Sequence, residues 1–150
     1  MQSQDSGASW QIVAGEQGSP FTNQAAGIYD LSCTGSQLAP AVCVGLGATS
    51  MQTPQQSFLV ETQDGGKTWQ QHPLPAGVVQ AGYTPNLFSV QCTGSGKAAM
   101  CVVGGSNWGS NGSEVPFAFQ SNDGGSTWSM INSLPSQGQI YAVSASSGVH

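Results

Sequence analysis

Thr62-Gln63-Asp64-Gly65-Gly66-Lys67-Thr68-Trp69 occurs three times in this chain in recognisable form. An earlier copy reads Ser3-Gln4-Asp5-Ser6-Gly7-Ala8-Ser9-Trp10, and a later one reads Ser121-Asn122-Asp123-Gly124-Gly125-Ser126-Thr127-Trp128. The shared pattern is Ser/Thr, any residue, Asp, any residue, Gly, any residue, Ser/Thr, Trp. Its aspartates are evenly spaced: the step from Asp5 to Asp64 equals the step from Asp64 to Asp123. Self-similarity at a fixed period of this length is the mark of a repeat architecture.

Working outward, a second motif keeps the same period. Leu31-Ser32-Cys33-Thr34-Gly35-Ser36 returns as Val90-Gln91-Cys92-Thr93-Gly94-Ser95, and Ser57-Phe58-Leu59-Val60 returns as Pro116-Phe117-Ala118-Phe119. Cys43-Val44 returns as Cys101-Val102, one position short of that period, so a single residue is lost within the unit. Ile140-Tyr141-Ala142-Val143-Ser144 echoes Ile28-Tyr29-Asp30-Leu31-Ser32, with Ala145 in the cysteine's place. Turn residues separate short strand-like segments, four to a unit. They are expected at about 28–33, 41–48, 57–62 and 68–73, and again at about 87–92, 99–105, 116–121 and 127–132. Repeated groups of four strands imply propeller blades. The expected fold is all-β, a single segment over 1–150 with two complete four-stranded antiparallel blades at 28–73 and 87–132. Partial units flank them at 1–14 and 139–150.

The motif has a physical reading as a hairpin turn. Its Asp can accept hydrogen bonds from the backbone ahead of it. Its Gly takes positive φ without steric cost, and its Trp opens the last strand by burying a large apolar ring. Asp5, Gly7 and Trp10, Asp64, Gly66 and Trp69, and Asp123, Gly125 and Trp128 are therefore read as structural. The three copies resemble the Asp-box, or bacterial neuraminidase repeat. It is found in sialidases, xyloglucanase-like glycosidases, the sortilin ectodomain and a photosystem II assembly factor. The paired cysteines beside Thr-Gly-Ser turns look like an exported bacterial subset of that family. The resemblance covers the whole chain and implies that the box is a turn at the blade rim, away from a central site.

Composition removes several function classes. The chain has 150 residues, 38% apolar and 6% charged, with a net charge of −5; its only cations are Lys67 and Lys97. A chain without arginine and with two lysines lacks the clustered positive charge that nucleic acid or an anionic membrane requires. No apolar run approaches the roughly 20 residues of a membrane span. The first ten residues lack the basic and apolar regions of a signal peptide. Four Trp, five Phe and three Tyr argue for a packed fold rather than a linker. The four cysteines lack close CxxC spacing, so a zinc or redox site is not indicated. Their matched placement predicts Cys33–Cys43 and Cys92–Cys101 disulfides, each joining the first strand of a unit to the second. Disulfides and a Ser/Gly/Asn/Gln-rich surface fit a secreted, periplasmic or extracellular protein.

Candidate chemistry is sparse, and no cofactor or metal is expected. Sialidases grip a carboxylate with arginine, which this chain lacks, so that activity is excluded. Other glycosidases need two facing carboxylates. Outside the boxes the acids are Glu16, Asp30, Glu61 and Glu114, and Asp30 and Glu61 become Ser89 and Gln120 in the second unit. His72, before Pro73, and the terminal His150 read as surface residues. Asn111-Gly112-Ser113 matches a glycosylation acceptor and also reads as a simple turn.

One end of each unit remains for binding. Ser106 to Glu114 is read as a loop carrying Trp108, which either packs back on its blade or meets a ligand. Asn107, Asn111, Tyr83, Phe21 and Met51 project at the same end and complete the candidate face. The chain is read as a non-catalytic binding or assembly scaffold for a protein or glycan ligand. A piece of a glycoside hydrolase propeller is one rival, and a self-assembling filament or oligomer subunit is another. Two and a half repeats cannot close a ring, so further blades or self-association are expected to cover the open edges.

Overall fold

The computed structural model describes residues 8–9, 26–36, 39–49 and 56–146. Eight strands follow one another: β1 Ala26–Ser36, β2 Ala39–Thr49, β3 Ser57–Thr62, β4 Gln70–His72, β5 Tyr83–Thr93, β6 Met100–Gly109, β7 Glu114–Ser121 and β8 Ser129–Met130. They form two four-stranded antiparallel sheets, each a simple meander in the order β1-β2-β3-β4 and β5-β6-β7-β8. The only other regular element among the described residues is a 3₁₀ turn at Gly96–Ala98. The fold is all-β, and the two sheets are copies of one plan.

The copying extends to register. Cys33 faces Cys43 across β1 and β2, and Cys92 faces Cys101 across β5 and β6. Both pairs are bonded, with Cα separations of 4.0 and 4.1 Å. Gly47 faces Phe58, and Gly105 faces Phe117. In both places the phenyl ring lies where a glycine side chain would be, so glycine is required by the ring and not by a turn. Each first strand also has a bulge, between Ile28 and Asp30 and between Leu87 and Ser89. The extra residue is aromatic both times, Tyr29 and Phe88. A bulge re-aims the side chain it carries, and here it throws an aromatic towards the next layer. The Tyr29 hydroxyl donates to Leu87 O at 2.9 Å, and the Phe88 ring lies 5.3 Å from that of Tyr141.

One apolar core holds the sheets together. Val44, Leu46 and Leu59 from the first sheet join Leu87, Val90, Cys92, Cys101, Val103, Phe117 and Phe119 from the second. Each fully buried Leu or Phe contributes about 1.5–3 kcal/mol. Val78, in the connection from β4 to β5, is fully buried in this core, and Leu74 packs against it. Polar bonds fix the alignment. Asp30 Oδ2 accepts from Val90 N at 2.8 Å, Ser32 Oγ accepts from Cys92 N at 2.9 Å, and Ser57 Oγ donates to Pro85 O at 2.8 Å.

Three expectations from sequence need adjustment. The last strand of each unit is short, three residues in β4 and two in β8, because the turn runs through Trp69 and Trp128 and Pro73 has no N–H with which to extend β4. β6 runs on to Gly109, so Ser106–Gly109 is strand and not loop. Residues 139–145 form no strand. They lie instead on the outer face of the second sheet, where Val143 N donates to Ser89 Oγ at 3.4 Å.

Candidate functional site

The box turns hold two of the five described carboxylates. Asp64 Oδ1 accepts from Thr62 Oγ1 at 2.8 Å and from Thr68 N at 2.9 Å, while Oδ2 accepts from Thr68 Oγ1 at 2.6 Å. Asp123 repeats this with Ser121 Oγ, Thr127 N and Thr127 Oγ1 at 2.7, 2.9 and 2.6 Å. Gly66 N and Gly125 N close the turns onto Thr62 Oγ1 and Ser121 Oγ. Gly66 and Gly125 sit at φ 89° and 93°, a conformation that favours glycine. Desolvation pushes the Asp64 carboxyl up, but the Thr68 and Thr62 hydrogen bonds outweigh it and hold its pKa at about 2. Asp123 is lowered by the matching bonds against the same opposition. Trp128 meets Phe119 edge-on, with ring centroids 5.3 Å apart. Asp5, Gly7 and Trp10 lie outside the described residues.

Each box leans on the hairpin end of its own sheet. Gly65 N donates to Ala41 O at 3.0 Å, and Gly124 N donates to Ala99 O at 2.9 Å. The boxes and the β1–β2 and β5–β6 turns thus share one end of the sheets. The β6–β7 turn occupies the other end with Tyr83, which pairs with Gly109.

That opposite end carries the exposed aromatic. Trp108 is 54% exposed, and it pairs across the sheet with Thr84 on β5 and Glu114 on β7. Directly paired residues point to one face of a sheet, so Thr84, Trp108 and Glu114 form a row. Gln139 Nε2 donates to Glu114 Oε2 and fixes that carboxylate from the C-terminal segment. Beside the row the turn is stiffened internally. Asn111 Oδ1 accepts from Ser113 N and Ser113 Oγ at 3.0 and 2.6 Å, Gly109 N donates to Ser113 O at 2.8 Å, and Ser113 Oγ approaches the Tyr83 hydroxyl at 3.4 Å.

Of the residues singled out from sequence, Tyr83 and Asn111 come together through Ser113 on the face of Gly109, while Trp108 lies at the same end of the sheet on its other face. Strand alternation turns the Asn107 side chain to the face opposite Trp108, where it is 1% exposed and its Oδ1 has no hydrogen-bond partner. Phe21 and Met51 lie outside the described residues. Thr84 and Gln139 were not anticipated. Continuing the β6 alternation three residues beyond Gly105 would have set Trp108 on the face opposite Asn107 and selected its cross-strand neighbours.

The remaining acids are occupied. Asp30 accepts from Val90 N and from Leu31 N. Glu61 is buried on β3, receives Gln63 Nε2 at 3.3 Å, and lies 3.4 Å from His72 Nε2. Burial pushes the Glu61 carboxyl up, opposed by His72 and reinforced by Asp123. Among the described residues, no three His, Cys, Asp or Glu side chains gather in a way that would hold a metal ion. Nor, among the described residues, is any helix long and apolar enough to cross a membrane. Comparison of the chain with protein-family models, with curated proteins and with solved structures gave no match in any of the three.

Proposed function

We propose that this chain is a non-catalytic binding scaffold of an exported protein, built from Asp-box propeller blades, and that its ligand meets the patch around Trp108. The observation that carries this reading is the exposed indole in a row with Thr84 and Glu114. A large flat apolar face flanked by a hydroxyl, a carboxylate and the Gln139 amide suits a sugar ring, which offers apolar C–H groups on one side and hydroxyls at its edge. The internally bonded turn 109–113 limits the ordering cost of binding. The absence of arginine from the whole chain argues for a neutral glycan over a sialylated one.

Three further observations support the reading. Each described carboxylate already has a structural partner, which leaves none of them free as half of a glycosidase pair. The two disulfides are compatible with an oxidising compartment. Stacked four-stranded sheets that recur with the period of the boxes support the blade assignment.

The test is a titration with neutral cello-, xylo- and chito-oligosaccharides followed by Trp fluorescence and by heteronuclear NMR shifts. Binding should perturb Trp108, Thr84 and Glu114, and Trp108→Ala should abolish it without lowering the unfolding temperature. Saturable binding that survives Trp108→Ala refutes the assignment of the patch. Hydrolysis of any of these oligosaccharides refutes the non-catalytic reading.

A further inference from the structure

The two sheets pack through a defined pair of surfaces. The front of the second sheet, with Leu87, Val90, Phe117 and Phe119, lies against the back of the first, with Val44, Leu46 and Leu59. The hydrogen bonds from Val90 N to Asp30 and from Cys92 N to Ser32 set its register. The chain repeats, so each surface recurs; on the front of the first sheet Phe58 and Val60, one repeat before Phe117 and Phe119, are already buried, and the β1 part is open. The front of the first sheet offers Ile28 and Leu31, one repeat before Leu87 and Val90. Leu87 and Val90 are 2% and 4% exposed, whereas Ile28 and Leu31 are 39% and 52% exposed.

The back of the second sheet carries residues 139–146, and the fit is close. A side chain on Gly104 would stand 2.6 Å from Ile140 Cγ2 and 2.8 Å from Val143 Cγ1, so these two residues sit in the space that the glycine leaves. The Tyr141 ring packs 5.3 Å from that of Phe88, and Val143 N reaches Ser89 Oγ. In the repeat, Ile140, Tyr141 and Val143 correspond to Ile28, Tyr29 and Leu31. The segment therefore occupies, within the molecule, the place that a β1 front would take on this sheet. It does so with side-chain contacts and one polar bond rather than with a four-stranded sheet.

We infer that a second copy of this chain docks its β1 front, Ile28 and Leu31, on the back of the second sheet, and that residues 139–146 compete for that surface as an internal cap. The chain already builds this pair of surfaces once between its own sheets, so the complement of the exposed β1 front is the sheet back beneath the cap. The result is head-to-tail association whose strength depends on how firmly the cap is seated. This rests on the stacking of the sheets; the Trp108 row lies further along the same face, where Gln139 of the cap meets Glu114.

Sedimentation equilibrium over a concentration series tests it, using the full chain and single variants. Val143→Asp places a charge against Gly104 and Ser89 and should unseat the cap, tightening association by about ten-fold, the equivalent of one lost apolar burial. Leu31→Asp should abolish association in the full chain and in the Val143→Asp background. Leu31→Asp lies on the first sheet, away from the Trp108 row, and should leave oligosaccharide binding unchanged, which separates this outcome from failure of the binding reading. If Val143→Asp fails to fold, a synthetic peptide spanning 137–146 added to the full chain should dissociate the complex. A folded full chain that stays monomeric throughout, together with a monomeric Val143→Asp, overturns the inference. So does association that persists in Leu31→Asp or ignores the peptide.

Discussion

The backbone N–H of Val90 donates to Asp30 Oδ2 at 2.8 Å, and one repeat later the N–H of Val143 donates to Ser89 Oγ at 3.4 Å. Both acceptors follow a bulged aromatic, Tyr29 or Phe88, and both donors belong to the layer stacked above. The bulge and the acceptor thus form one joint, used between the sheets and again under the C-terminal segment.

This joint sets a first expectation. Asp30→Ala leaves the Val90 N–H without its acceptor in a part-buried position, which costs about 1–3 kcal/mol. Asp30→Asn keeps a carbonyl oxygen there and should cost less than half as much. Urea unfolding of the two variants measures the difference. Equal losses would show that the charge of Asp30, and not its role as acceptor, sustains the joint.

The box aspartates give a second. Asp64→Ala and Asp123→Ala should each destabilise the fold by about 1–3 kcal/mol through the three hydrogen bonds that each carboxylate accepts. The folded carboxyl of Asp64 titrates at about 2, below its unfolded value near 3.8. Its contribution is therefore complete above the unfolded value and is lost as pH falls from there through about 2. Thermal unfolding between pH 2 and pH 6 should show that loss in the parent chain and a weaker one in Asp64→Ala. Parallel pH curves for the two would show that the turn does not favour the ionised form.

Much of this arrangement was legible in the sequence, for a physical reason. A constant period in Asp, Gly and Trp fixes turns, and turns fix where strands begin; β3 falls at 57–62, where the spacing predicts it. Strand ends were less legible, because they depend on which N–H groups find partners. Pro73 stops β4 early, and β6 continues to Gly109 because Thr84 and Glu114 flank it on both sides. Asn107 and Trp108 were read as one exposed loop, whereas strand alternation buries the first and exposes the second. The echo at 140–144 implied the first strand of a further unit, and the segment packs on the second sheet instead. It did not produce a strand, since a ladder needs a neighbouring strand and none is described there.

The cysteines give a third expectation. Each disulfide closes a short loop, with sequence separations of 10 and 9, which in the chain-entropy account stabilises the fold by roughly 2–3 kcal/mol. Cys33→Ser with Cys43→Ser, and Cys92→Ser with Cys101→Ser, should each lower the denaturant midpoint. The second pair should cost more, since Cys92 and Cys101 belong to the core between the sheets while Cys33 is exposed. Unfolded, unreduced protein should show no free thiol to a colorimetric titrant. Four free thiols would exclude both bonds, and an equal loss for the two pairs would show that loop closure outweighs packing.

Glu61 gives the last expectation, and here the chain supplies its own control. The carboxylate is buried on the face turned to the second sheet, lies 3.4 Å from His72, and stands near Gly125 of the next box. One repeat later the same position is Gln120, with Ile131 in place of His72. Burial raises the folded pKa of Glu61 above its ordinary value, even though His72 pulls it down. The fold thus binds this proton more tightly than the unfolded chain does. Stability is therefore greatest below the unfolded value and falls as pH rises from about 4.5 through the raised folded value. Glu61→Gln keeps an oxygen to accept from Gln63 and carries no charge to desolvate. It should raise the unfolding temperature at pH 7 and have little effect at pH 4. The same Gln in a His72→Ala background should gain more, because the imidazole that offsets the buried charge is gone. If Glu61→Gln destabilises the protein at pH 7, the attraction to His72 exceeds the cost of burial, and the pair holds the sheets together.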